Sequence, residues 1–128
     1  MSETWDGGCL CGAVRFRAGG APRWTFWCHC QSCRRHSGAP AAAFAAFDEA
    51  VVEVTEGEIT KFASSPGVLR GFCARCGSTL TCESDKMPGE QHIHIGAFDR
   101  PEALAPTIEV FAEERLPWVH LGPASANR

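Results

Sequence analysis

Seven of the eight cysteines in this 128-residue chain fall into three tight clusters, and no other feature restricts the fold so strongly. Cys9-Leu10-Cys11 lies inside the glycine-rich stretch Gly7 to Gly12, Cys28-His29-Cys30-Gln31-Ser32-Cys33 forms a central triplet, and Cys73-Ala74-Arg75-Cys76 is closed by Gly77. Isolated core thiols have no reason to recur as C-x-C and C-x-x-C beside glycine, whereas a tetrahedral ion needs sulfurs presented from tight turns. The two outer pairs supply four thiolates, Cys9, Cys11, Cys73 and Cys76, the donor set of a structural zinc. Their glycines are expected to let backbone N–H groups turn toward the sulfurs and offset the charge. The pairs stand about sixty residues apart, so an ion joining them closes most of the domain and its binding energy becomes folding energy.

The triplet Cys28, Cys30 and Cys33 has a different meaning. Three protein ligands leave a tetrahedral ion one position open, the arrangement of a catalytic zinc, where a substrate atom or water is polarised. His29 lies between two ligands on an extended segment, so its side chain is expected on the opposite face, although it remains a candidate ligand or donor. A second closed structural site is the alternative, completed by His36, Cys82, His92 or His94. Arg34 and Arg35 follow at once and are candidates to face an anionic substrate group or to offset the thiolates; a solvated pair is the other reading. Cys82 has no cysteine at metal spacing and reads as a core thiol. His92 and His94 alternate with Ile93 and Ile95, which puts the isoleucines in the core and the histidines on the other face, at the surface or along a cleft. Trp27 adjoins the triplet and is a candidate pocket wall.

The length suits one domain, expected over 3–123, with 124–128 a frayed tail. A net charge of −3 and a pI near 5.9 leave no basic field for phosphates, which argues against nucleic acid as a partner. The longest apolar stretch, Ala39 to Phe47, falls far short of the ~20 residues of a membrane span. The start, Met1 to Asp6, is polar and acidic, unlike an export signal, so a cytoplasmic location is expected, where clustered cysteines mean metal more often than disulfide.

Short runs of alternating apolar, β-branched and aromatic residues predict strands over 13–17, 23–28, 42–47, 51–55, 59–62, 68–73, 79–83, 92–98, 107–112 and 118–121. Gly7-Gly8, Gly19-Gly20, Ser65-Pro66-Gly67, Pro88-Gly89 and Asp99-Arg100-Pro101 are the expected reversals. The fold class is therefore all-β, of antiparallel sheets with only short helical turns. The one helical candidate near a cysteine motif is Gln31 to His36, closed by Gly38.

Taken together, Gly7-Gly8-Cys9-Leu10-Cys11-Gly12-Ala13-Val14-Arg15-Phe16, Cys28 to Arg34, Ser37-Gly38-Ala39-Pro40, Phe72-Cys73-Ala74-Arg75-Cys76-Gly77-Ser78 and Gly96-Ala97-Phe98-Asp99-Arg100-Pro101 resemble the glutathione-dependent formaldehyde-activating enzyme family, which includes centromere protein V-like domains. The resemblance covers nearly the whole chain. It implies a β-tent fold with a structural zinc on Cys9, Cys11, Cys73 and Cys76, and a catalytic zinc on Cys28, Cys30 and Cys33. It also implies a carbon–sulfur lyase that joins a small thiol, glutathione, to formaldehyde reversibly. Family members commonly carry a histidine after the late Pro-Thr; here Glu109 stands at that position. A non-catalytic zinc module that binds a thiol or a protein is the rival reading.

Overall fold

The computed structural model describes residues 3–122, and the expected tail 124–128 lies outside them. A three-stranded antiparallel sheet, in order β1-β2-β5, is made by β1 (Thr4–Gly8), β2 (Arg15–Gly19) and β5 (Val52–Glu56). The second sheet has seven strands, β3 (Trp24–Cys28), β4 (Ala42–Asp48), β6 (Thr60–Ser65), β7 (Val68–Phe72), β8 (Thr79–Ser84), β9 (Glu90–His94) and β10 (Ile108–Val110), in order β10-β3-β4-β9-β8-β7-β6. The helix α1 (Gln31–Ser37) is two turns long and ends on Gly38, whose φ of 74° forms the left-handed cap expected of glycine.

The central strand β4 reads Ala-Ala-Phe-Ala-Ala-Phe-Asp because both of its faces are covered, which replaces alternation by a continuous apolar run. On one face Ala45 and Phe47 join Ile93, Leu80, Phe16, Trp5 and Phe98 in the core between the two sheets. On the other, Ala42, Phe44 and Ala46 pack with Phe26, Cys28 and Cys33. The larger sheet thus has a structural face, capped by the smaller sheet, and a second face carrying α1 and the cysteine triplet. The late Gly96 to Pro101 motif belongs to the first. Phe98 meets Phe16 edge-on at 5.3 Å, Asp99 accepts two hydrogen bonds from Arg15, at 2.6 and 3.2 Å, and Arg100 lies 4.6 Å over the Trp5 ring.

Four expectations are corrected. Gly7 and Gly8 do not reverse the chain; they end β1, a strand absent from the alternation pattern because its residues, Thr-Trp-Asp-Gly-Gly, offer a single large apolar side chain. Strand β10 runs parallel to β3, not antiparallel, with Glu109 opposite Trp27 and Val110 opposite Cys28, because the chain returns across the far end of the sheet. The 92–98 run is strand only to His94, after which Ile95–Ala97 forms a 3-10 turn, and residues 118–121 form no strand.

Gly7 is where the layers come closest. A Cβ at that position would fall 2.5 Å from the Ala97 carbonyl oxygen and 2.5 Å from the Phe16 ring. Gly7→Ala is therefore expected to destabilise the domain by about 1–3 kcal/mol, read from urea unfolding, because backbone on one side cannot yield.

Candidate metal centres and active-site cleft

Two glycine-closed loops, one after β1 and one after β7, hold the outer cysteines. In the first, Cys9 N–H donates to Val14 O at 3.1 Å and Gly12 N–H to Cys9 O at 3.2 Å; in the second, Cys73 N–H donates to Ser78 O at 3.0 Å and Gly77 N–H to Cys73 O at 2.7 Å. Gly12 and Gly77, with φ of 82° and 80°, take the left-handed turn that a side chain would resist. The glycine N–H groups thus go to carbonyls; a sulfur is met instead by Val14 N–H, 3.2 Å from Cys9 Sγ. Leu10 N–H donates to Ser78 Oγ at 2.9 Å and ties the loops together. Hydrogen bonds from Ser78 hold the Cys76 thiol below its ordinary pKa.

The four sulfurs lie within 4.8 Å of one another, with Cys9 to Cys11 at 3.6 Å and Cys11 to Cys73 at 3.8 Å. Sulfurs at ~2.3 Å from a tetrahedral ion would sit ~3.8 Å apart, so the donor set fits such an ion. The sulfurs of Cys28, Cys30 and Cys33 also lie within 4.8 Å of one another, the first two 3.4 Å apart. Among the described residues no histidine, carboxylate or fourth cysteine joins this second cluster. The chain therefore carries two cysteine clusters able to bind metal, one of four sulfurs and one of three.

The triplet is shaped by α1. Cys30 is its N-cap, with the Cys33 N–H 3.3 Å from the Cys30 sulfur. Hydrogen bonds from the Cys28 and Cys33 thiols pull the Cys30 thiol far below its ordinary pKa, helped by the Cys33 N–H and by Arg70, while Cys28 is pushed up by the same sharing and by burial. Arg70, at the centre of β7 and only 5% exposed, places Nη1 3.5 Å from Cys33 Sγ and donates from Nε to Ser64 Oγ at 3.1 Å. Burial opposes its charge, but the neighbouring Cys33, Cys82 and Cys30 sulfurs outweigh it and raise its pKa. The sequence reading put the compensating cation at Arg34 or Arg35. Neither lines the cleft, and Arg35 is exposed.

Above the triplet opens a cleft of about 690 Å³. Strand parity sends Trp24, Phe26 and Cys28 to this side and Thr25 and Trp27 to the other, so Trp24 and Phe26 form the wall that was expected of Trp27. His29 follows Trp27. It is fully buried on the far side, with Nε2 2.7 Å from Glu109 Oε1, so position 109 faces His29 and away from the cleft. Arg70, Cys82 and His92 stand side by side on β7, β8 and β9. His92 Nε2 donates to Glu90 Oε1 at 2.9 Å, and Trp24 Nε1 donates to the same oxygen at 3.1 Å. Burial opposes ionisation of Glu90, but these bonds and Arg23 keep its carboxyl below the usual range. His92 and His94 face away from the isoleucine core as expected, yet neither is a surface residue. His94 is 7% exposed, with its Nε2 unpartnered.

A profile described as glutathione-dependent formaldehyde-activating enzyme matches residues 4–114. The chain belongs to this family. A Halomonas elongata protein named as a candidate glutathione-dependent formaldehyde-activating enzyme is 30% identical over 133 aligned positions, covering 96% of this chain and 84% of that one. A Schizosaccharomyces pombe protein named as an uncharacterized lyase is 36% identical over 76 residues, 59% of this chain but only 55% of the yeast protein. A crystal structure of a Rhodobacter sphaeroides protein shares the fold, with a TM-score of 0.60 and 21% identity over 73% of this chain and 87% of that one. Among the described residues no helix is long and apolar enough to cross a membrane.

Relative to this family frame, Arg70 and the cleft walls are what the sequence reading missed. A lone charge inside the apolar run Val68-Leu69-Arg70-Gly71-Phe72 was the available signal, since such a charge is stable only against a partner.

Two outcomes follow from these geometries. Cys73→Ala should lose folded, metal-binding protein altogether, because a site spanning both sheets supplies folding energy on the scale of the ~5–15 kcal/mol that holds a domain; metal content and circular dichroism check this. His94 tests pH dependence. Burial, then His36 and Arg70, lower its pKa from 6.5 to about 4. Above pH 6.5 both states hold it neutral; between 6.5 and about 4 only the unfolded chain takes up the proton, so stability falls as pH falls and levels off below. Wild type should lose about 3 kcal/mol more than His94→Gln between pH 7 and 4 in urea unfolding.

Proposed function

We propose that the chain is a zinc-dependent carbon–sulfur lyase that joins a small thiol to an aldehyde, reversibly, at Cys28, Cys30 and Cys33. The observation that carries the reading is the three-sulfur cluster at the floor of a cleft, which no fourth protein ligand joins among the described residues. Cys9, Cys11, Cys73 and Cys76 hold a structural zinc in this reading. The family name supports glutathione and formaldehyde as the type of substrate pair. At the triplet, zinc would supply the acidity that makes a substrate thiol ionise near neutral pH.

The remaining work falls to side chains of this chain. Three thiolates repel a fourth, and the Arg70 guanidinium, 3.5 Å from Cys33 Sγ, lowers that repulsion from the buried side. Glu90 accepts from His92 Nε2, which leaves Nδ1 with a lone pair on a ring that lines the cleft. His92 Nδ1 can take the thiol proton and return it to the carbonyl oxygen as the carbon–sulfur bond forms. The balance is simple: an S–H and a C=O become a C–S and an O–H, nothing is oxidised, and the reverse path cleaves the adduct. The apolar walls keep water from competing for the carbonyl.

His29, bonded to Glu109 behind the sheet, positions the loop between Cys28 and Cys30 in this reading, and Arg34 and Arg35 act at most on the outer approach.

Cys30→Ala should fold, bind one zinc in place of two, and lose thiol binding measured by calorimetry with zinc-loaded protein. Equal thiol binding by wild type and mutant would instead favour a purely structural zinc module.

A further inference from the structure

The cleft over the triplet is furnished for a carbon skeleton. On its wall Trp24 stacks on Phe26 with centroids 4.1 Å apart, Phe26 stacks on Phe44 at 5.4 Å, and His92 closes edge-on to Phe26 at 5.2 Å. At the mouth Phe111 is 52% exposed, makes no ring contact among the described residues, and sits at φ 54°. It is the one residue other than glycine, among those described, with a positive φ. A phenylalanine in the left-handed region is strained, and strain of this kind gathers at ligand-binding sites.

The charges point the same way. Among the cleft-lining residues the cations are Arg70 and Lys86, with the carboxylate of Asp85 beside the latter. Arg70 is already engaged by Ser64 and Cys33. Glutathione brings two carboxylates and an ammonium, and cations hold carboxylates most strongly through charge-assisted hydrogen bonds. Here only Lys86 is left, on the exposed rim.

We propose that the thiol taken by this cleft bears an apolar, aryl-sized group on its sulfur-bearing carbon in place of the charged tripeptide of glutathione. This specifies the substrate class of the lyase reading above and rests on it for the role of the thiol. The sulfur goes to Cys28, Cys30 and Cys33, and the ring lies along Trp24 and under Phe111. A cleft of about 690 Å³ has room for both the ring and an aldehyde.

The experiment compares benzyl mercaptan, glutathione and benzyl alcohol by calorimetry, each on zinc-loaded and on metal-free protein, for wild type, Phe111→Gly and Trp24→Ala. Benzyl mercaptan should bind about ten-fold or more tightly than glutathione, the scale expected for burying one aromatic ring against aromatic walls. Phe111→Gly, which fits the left-handed backbone and removes only a half-exposed ring, should lower benzyl mercaptan affinity several-fold more than glutathione affinity. Trp24→Ala should do the same from the wall. Glutathione binding as tightly as benzyl mercaptan, or tighter, overturns the substrate class while leaving the lyase reading intact. Benzyl alcohol binding that depends on Phe111 and Trp24, with no thiol dependence on zinc, upholds the aryl cleft and sinks the lyase reading. Failure of all three ligands to bind overturns both.

Discussion

Four sulfurs must meet within 4.8 Å although two of them leave the small sheet after β1 and two leave the large sheet after β7. Everything else in the layering follows from that meeting. The loops are 62 residues apart at Cys11 and Cys73, and closing a segment of that length costs about 4 kcal/mol of chain entropy. Apolar burial between the sheets offsets part of it, through Trp5, Phe16, Phe47 and Phe98. The Leu10 to Ser78 hydrogen bond gives the loops one direct tether. The four sulfurs fit a shared ion, and each loop reverses within a few residues through a left-handed glycine, Gly12 or Gly77.

The other face of the seven-stranded sheet carries the triplet and its cleft. The parity of β3 decides the division: Cys28 shares a side with Trp24 and Phe26, whereas His29 and Trp27 share the other. Glu109 lies off the cleft for the same reason. Strand β10 pairs with β3 in parallel register, so Glu109 faces the back with His29 while Val110 and Phe111 reach the front.

Electrostatics in the cleft are economical. One helix N-terminus and one buried guanidinium face three sulfurs, and both are held by neighbours that leave them no other use: Cys33 N–H on Cys30, and Arg70 between Ser64 and Cys33. Among the described residues that line the cleft, Arg70 is the one buried arginine or lysine; Lys86 is exposed.

The sequence alone determined the two cysteine clusters, their grouping of four against three, the β class, the short helix ending at Gly38 and the histidine side of β9. All of these are local: ligand spacing, glycine beside cysteine, and period-two alternation can each be read within a few residues. It misled at β1, where glycines that permit close packing look the same as glycines that turn, and for a cation beside the triplet it offered only Arg34 and Arg35, neither of which lines the cleft. Only the tertiary structure decided that Arg70 from β7 faces the triplet, that Glu90 orients His92, and that Trp24, Phe26 and Phe111 enclose the cleft. Arg70 reaches Cys33 and Glu109 reaches His29 from strands 37 and 80 residues away, and sheet order, which brings them together, leaves no mark in local sequence; Glu90 and His92 share β9, and Trp24 and Phe26 share β3 with Cys28, but which of these faces a cleft depends on the strands packed around them.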